Sequence, residues 1–359
     1  MMKYYLYKLW FSTPVHFGGA AEGGKLEEAE MTLAADSLFS ALCCELAEQG
    51  EEERLSRFIV LTREGKVRFS DLYPFQREER GEEWYYLPRP VLPPAPAKEK
   101  EELRDLATER KEARARKNLK KLSHLRTSEL EPFLAAWREG RPYHTREIFS
   151  FGTSSLVERV NCSREGETLP YFVRTFNFSQ KAGLYGVLAV EEEAVGTEII
   201  SALESLGLTG IGGKRSSGYG KFCLENGGGL SKEHAAGDVT AKKNTVSLAV
   251  DLAKATSVDG KALYSLLQAE SAPCQMCLSV LLPAERDEEV LTDAWYQLVR
   301  RSGFITGAAN QQQKKDSVYM LSAGSCLPRR LTGKMAVLGR VGGHEVLRYG
   351  YGMYAGLSL

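Results

Sequence analysis

The chain has 359 residues, 43% of them hydrophobic and 26% charged, a composition that suits two globular domains. Its 47 basic and 47 acidic residues cancel, which excludes coating nucleic acid by overall charge but allows a local groove and acidic faces turned to partner proteins. No apolar run approaches the roughly 20 residues of a bilayer span, and seven scattered cysteines give no disulfide framework, so a reduced, cytoplasmic protein with no membrane partner is expected.

Residues 3–11 (KYYLYKLWF) alternate with period two and end at Pro14, as a first strand does, and lack the unbroken apolar centre of a signal peptide. A glycine-rich loop from Thr13 to Gly24 contains His16. Asp36-Ser37 then precedes LFSALCCELAEQG, where Leu38, Leu42 and Leu46 fall at helical spacing, Gly50 can stop the helix and Asp36 reads as its N-cap. Residues 66–70 make a short strand, and five prolines between Leu87 and Pro96 an extended connector. Residues 98–126 change in composition to a charged, helix-favouring insertion. From Arg110 to Arg126 it carries eight cations against Glu112 alone, with a narrow stripe of Leu119, Leu122 and Leu125. Two readings stand for it: a solvated helix packed by its leucines, or a positive face near RNA phosphates.

Strand-like text runs from Phe149 to Val190, with a hairpin signal at Arg164-Glu165-Gly166-Glu167. A helix is predicted over 197–206, then a glycine-rich loop, the strand KFCLE and a linker at 226–243. After it come the strands TVSLAVDLA and CQMCLSVLL, a helix EVLTDAWYQLVRR, the strand SVYMLSAGS and terminal strands at 334–340 and 345–357. Helices mixed with hairpin signals predict an α+β fold, drawn as two ferredoxin-like (RRM-like) domains.

The most informative segment is 210–220, GIGGKRSSGYG. Five glycines in eleven residues free the backbone for positive φ and close approach. Lys214, Arg215 and Lys221 add charge with no acid between Thr209 and Lys221, and Ser216 and Ser217 can donate to phosphate oxygens. A Walker A loop fails at both ends, since position 208 is Leu and Gly213-Lys214 is followed by Arg215. A dinucleotide fingerprint fails because Arg215 stands where its third glycine belongs. Tyr219 either stacks on a base or packs inward beside Phe222. Cys274-Gln275-Met276-Cys277 has the spacing of half a zinc site but no second half, so no metal or other cofactor is expected.

This loop resembles the glycine-rich loop of the RAMP superfamily, the RRM-like proteins of CRISPR systems. Other stretches resemble its type III-A, Csm-type 5′-handle branch: Pro14-Val15-His16-Phe17-Gly18-Gly19, Ala35-Asp36-Ser37-Leu38, Arg159-Val160-Asn161-Cys162-Ser163-Arg164, Ala182-Gly183-Leu184-Tyr185, Arg300-Arg301-Ser302-Gly303-Phe304 and Arg348-Tyr349-Gly350-Tyr351-Gly352. They run in the family's order from end to end, with the poorest cover at 50–145 and 226–243.

The resemblance implies a non-catalytic crRNA-binding subunit for antiviral defence. Its first domain, 1–235, would hold the basic insertion (about 98–140), a thumb hairpin (about 145–180) and the glycine-rich loop; the second would be 236–359. The implied partners are the 5′ handle of the crRNA, the large polymerase-like subunit and a backbone RAMP subunit, with target RNA met indirectly. The implied RNA-binding residues are His16, Phe17, Gly18, Gly19, Ser37, Arg159, Asn161, Arg164, Gly210, Gly212, Gly213, Lys214, Arg215, Ser216, Ser217, Gly218 and Tyr219. Because some RAMP relatives cut precursor RNA, an alternative is an endoribonuclease with His16 as general acid or base.

Overall fold

The computed structural model describes residues 2–18, 25–95, 106–144, 150–161, 169–224, 249–305, 314–341 and 343–359. In chain order these form β1 (Lys3–Phe11), α1 (Ala35–Glu48), α2 (Glu52–Arg63), β2 (Val67–Phe69), β3 (Tyr73–Arg77), β4 (Glu83–Pro88), α3 (Leu106–Lys121), β5 (His124–Arg126), α4 (Leu130–Arg138), β6 (Gly152–Asn161), β7 (Leu169–Phe178), β8 (Ala182–Val190), α5 (Glu193–Thr209) and β9 (Phe222–Leu224). Then follow β10 (Val250–Asp251), α6 (Val258–Gln268), β11 (Cys274–Cys277), β12 (Leu298–Arg301), β13 (Val318–Leu321), β14 (Cys326–Leu327), β15 (Ala336–Val341), β16 (His344–Arg348) and β17 (Tyr354–Leu357). The chain is thus a mixed α and β protein with antiparallel sheets.

The main sheet runs β10–β1–β8–β3–β4–β5, with β2 also on β8 and β9 also on β1. The period-two alternation of β1 divides its side chains between two cores. Tyr7 and Leu9 join Leu38 and Leu42 of α1 and Leu203 and Leu206 of α5. Leu6 faces the other way, with Tyr185 and Val187 of β8, Leu263 of α6 and Met276 of β11. Both faces of the sheet are therefore covered, which is why all nine residues of β8 (AGLYGVLAV) are buried and none is charged. Burying a leucine contributes roughly 1.5–3 kcal/mol. The pairs on α1 and α5 thus fix these helices side by side, so the glycine-rich loop leaves α5 from a rigid point. A second sheet, β14–β11–β17, takes α6 against β17, and three ribbons pair β6 with β7, β12 with β13, and β15 with β16.

The expected strands at 3–11 and 66–70 and the helices after Asp36 and around 197–206 are all present. The helix expected over 289–301 is not. Residues 285–293 form 3-10 turns that set Val290 and Leu291 against a small core, and 298–301 is strand β12. The helical spacing was outweighed by a four-residue ladder to β13 and by the capture of Arg301 described below. The last expected strand, 345–357, is split into β16 and β17. The linker at 226–243 lies outside the described residues, as does part of the basic insertion. No described helix is long and apolar enough to cross a membrane.

Candidate nucleic-acid interface

The glycine-rich loop is laid on the segment that leaves β1. Ile211 N–H donates to Gly220 O at 2.9 Å, Gly220 N–H to Pro14 O at 2.9 Å, and Gly213 N–H to His16 O at 2.8 Å. At φ +77, a Cβ on Gly220 would stand 2.0 Å from Ile211 O; on Gly212 (φ +94) it would meet the Phe17 ring at 2.7 Å. The glycines are therefore required for close approach to protein, and the amides of Ile211, Gly213 and Gly220 are used by backbone carbonyls. Lys214, at φ +60, is the one described non-glycine residue in the left-handed region, a conformation that costs energy and turns the chain outward there. Ser216 and Ser217 follow it in a short 3-10 turn, both exposed.

His16 lies beneath this loop, 5% exposed, with Nδ1 2.7 Å from Arg174 O. A carbonyl only accepts, so Nδ1 carries the proton and the ring is locked against β7. Phe17, 2% exposed, is a core side chain under Gly212, while Gly18 is exposed. Gly19 and Arg164 lie outside the described residues.

The β6–β7 hairpin closes over the loop. Val15 bridges Phe176, and Arg159 sits opposite Tyr171 in a ladder from Gly152–Phe178 to Asn161–Leu169. Arg159 Nη2 donates to the Tyr219 hydroxyl at 2.6 Å, with the guanidinium 5.5 Å from that ring's centroid. Lys214 Nζ lies 4.8 Å from the Tyr171 centroid. Loop and hairpin thus exchange a cation and a ring in each direction, each contact contributing about 0.5–1 kcal/mol when exposed. Tyr219 packs inward, at 6% exposure, against Arg159. Tyr171 was absent from the residues expected at the site; counting outward from the 164–167 turn places it within one position of Arg159. Along its length the hairpin also exposes Leu156, Val160, Leu169 and Phe172.

A cleft of about 2000 Å³ opens beside the loop, walled by α1, Lys214, Arg215, Lys315 and the β12 and β16 strands. Behind Ser37, Arg301 and Arg348 of its lining, Asp36 is fully buried. Arg301 grips it with two bonds, Nη2 to Oδ1 at 2.7 Å and Nε to Oδ2 at 3.0 Å, and Arg348 Nη1 donates to the same carboxylate. Ser37 Oγ accepts from Arg301 Nη2 at 2.8 Å, and Arg348 Nη2 donates to Ser302 O at 3.0 Å. Burial alone would raise the Asp36 pKa, but Arg301 and Arg348 outweigh it and hold the carboxyl below its usual range. Asp36 therefore does not cap its helix, whose N-cap is Ala34; it joins α1 to the C-terminal strands. Ser37, expected at RNA, supports Arg301 in this node. Neighbouring Asp71 accepts from the amides of Ala35 (2.8 Å) and Val280 (3.1 Å), yet burial pushes its pKa up to about 7. Cys274 and Cys277 lie in core strand β11, and no metal-ligating cluster occurs among the described residues.

Residues 270–357 match the CRISPR Csm4 C-terminal domain family. Over 340 residues the chain is 27% identical to the CRISPR system Cms protein Csm4 of Streptococcus thermophilus, covering 93% of this chain and 92% of that one. It is 24% identical over 347 residues to Csm4 of Mycobacterium tuberculosis (strain CDC 1551 / Oshkosh), covering 95% and 94%. The chain is thus similar over nearly its whole length to Csm4, the Cas5-like RAMP subunit of type III-A CRISPR systems. Its fold is shared with a chain of a Csm1–Csm4 cassette in complex with cA4 (TM-score 0.56, 18% identity, 99% and 98% covered). A chain of a Csm3–Csm4 subcomplex of the type III-A interference complex shares it as well (TM-score 0.58, 13% identity, 99% and 100% covered). In Csm4 terms, the matched C-terminal domain runs from β11 to β17 and supplies both arginines of the Asp36 node.

Proposed function

We propose that this chain is the non-catalytic subunit that clamps the repeat-derived 5′ handle of the crRNA in a type III-A effector complex of the cytoplasm. One observation carries the reading: Lys214, which lines a basic cleft, and Arg159 beside it are held on tyrosine faces, with no carboxylate neutralising either among the described residues. A cation on a ring keeps its charge available to a phosphodiester, and the exposed Ser216 and Ser217 add donors beside it. The sheet order β9–β1–β8–β2 is that of a βαββαβ, ferredoxin-like unit. We read residues 1–235 as that unit, with β6–β7 as its thumb toward the guide–target duplex, and 236–359 as the second domain. The solved relatives contain Csm4 with Csm1 and with Csm3. By analogy this chain docks a large polymerase-like subunit and a backbone RAMP subunit. His16, buried and tied to Arg174 O, supports the loop rather than serving as a base.

The test uses the chain co-purified with its large-subunit partner and end-labelled RNA bearing the handle or a scrambled one. Handle-dependent retention of uncut RNA is expected, with the Lys214→Ala/Arg215→Ala variant binding at least tenfold more weakly, about 1.4 kcal/mol. Unchanged retention would refute the clamp, and cleavage abolished by His16→Ala would make the protein a nuclease.

A further inference from the structure

Helix α3 lies outside the site just described, yet its cations are ordered. Arg110, Arg114, Lys117 and Lys121 recur at steps of four, three and four, so they form one line along the helix. All four are exposed, and none makes an ion pair among the described residues. On the opposite side Ala115 is 6% exposed, and Leu119 and Leu122 pack against the second core. Arg89 Nη1 donates to Leu119 O at 2.6 Å and pins the C-terminal end of the helix to β4. The line is thus aimed outward by a packed apolar stripe, in a chain whose total charge is zero.

Its position connects it to the cleft. The cleft that begins at Lys214 and Arg215 extends to Pro88 and His124, which pair across β4 and β5. His124 comes three residues after Lys121. A strand lying in the cleft therefore emerges beside the C-terminal end of α3. We infer that the Arg110–Arg114–Lys117–Lys121 line is a second RNA-backbone track, engaging phosphates of the strand that continues out of the cleft. This rests on the clamp reading for the occupant of the cleft.

The chemistry favours RNA over an acidic protein. Protein docking surfaces need an apolar centre; the outward face of α3 has none, whereas the β12–β13 ribbon, with Trp295, Leu298 and Tyr319 exposed, has one. Evenly spaced point charges suit a phosphodiester. The line spans about 16 Å at 1.5 Å per residue, enough for four or five phosphates of a stacked strand.

The test replaces all four by glutamine, which keeps helix propensity, and checks the fold by thermal melting. The variant and wild type, each with the large-subunit partner, are titrated with handle RNA alone and with handle RNA extended at either end by about 20 uridines, from about 0.1 to 1 M salt. Four lost phosphate contacts should reduce the slope of log affinity against log salt by about 3, at roughly 0.7 per contact. The loss should be tenfold or more at low salt for one extended RNA, with handle-only binding unchanged. Equal slopes for both proteins on every RNA would overturn the track. Loss of the protein partner with RNA binding intact would also overturn it, assigning the line to an acidic protein surface. A scrambled-handle RNA is titrated beside them: if it binds like the handle RNA the clamp reading fails, while the extension and salt terms still report on the line.

Discussion

The Asp36 node and the loop–hairpin clasp both hold cations, and they hold them in opposite ways. At the node, two guanidinium groups share one fully buried carboxylate, so their charge is consumed inside the protein. At the clasp, Arg159 and Lys214 rest on the faces and hydroxyl of tyrosines, and their charge remains directed outward. Both adjoin the same cleft, the node through Ser37, Arg301 and Arg348 and the clasp through Lys214. Arginine alone does not mark a binding surface; its counterpart decides. A carboxylate makes a structural joint, and an aromatic ring makes a preorganised cation.

The largest effect should come from breaking the joint. Asp36→Ala leaves Arg301 and Arg348 without their acid, and removing one member of a buried ion pair costs about 3–5 kcal/mol. Urea unfolding should show that loss, with α1 freed from β12 and β16. A loss below about 1 kcal/mol would mean that the cleft is held together elsewhere. Replacing the residues at the clasp should leave the unfolding midpoint within a few degrees.

The two neighbouring carboxyls sharpen the contrast through pH. Asp36 has a lowered folded pKa, so its contribution is present above the unfolded value and is lost only as pH falls through the lower one. Asp71 is raised to about 7, so its contribution is present below the unfolded pKa near 4 and is lost as pH rises toward 7. Asp71→Asn keeps an oxygen for the amides of Ala35 and Val280 and removes the ionisation. The wild type should therefore lose on the order of a few kcal/mol relative to this variant between pH 4 and 7, read from urea midpoints at each pH. Parallel curves would place the Asp71 titration outside that window.

These two regions also differ in how far the sequence discloses them. Five glycines, two cations and two serines are consecutive in 210–220, and the strand pair beside them announces its turn at 164–167, so loop and hairpin are legible as text. Local spacing also marks β1 and α1, because a period of two or of 3.6 is written in adjacent residues. The node is not legible. Asp36 meets Arg301 across 265 positions and Arg348 across 312, and before a helix an aspartate looks like a cap. The same long-range bond helps explain why 298–301, which reads as helix, is strand. Tyr171 is an intermediate case: its partner follows from hairpin register, but only if the turn is counted outward. The purpose of the glycines was only half legible, since composition predicts positive φ but not that Phe17 and Ile211 would fill the space a Cβ would take.

The smallest change tests whether the clasp holds the cation ready or holds it back. Tyr219→Phe keeps the ring under Arg159 and removes the hydroxyl that accepts its Nη2 hydrogen bond, a bond contributing about 1 kcal/mol. If the hydroxyl orders the hairpin for RNA, handle retention should fall up to about fivefold, and amides of β6 and β7 should exchange faster while those of β1 and α1 do not. If retention rises instead, the hydroxyl competes with phosphate for Arg159, and the clasp is a latch that RNA must open. The first outcome keeps the clasp distinct from the node as a preorganised site. The second makes it a weaker version of the same device, with a neutral oxygen in place of a carboxylate.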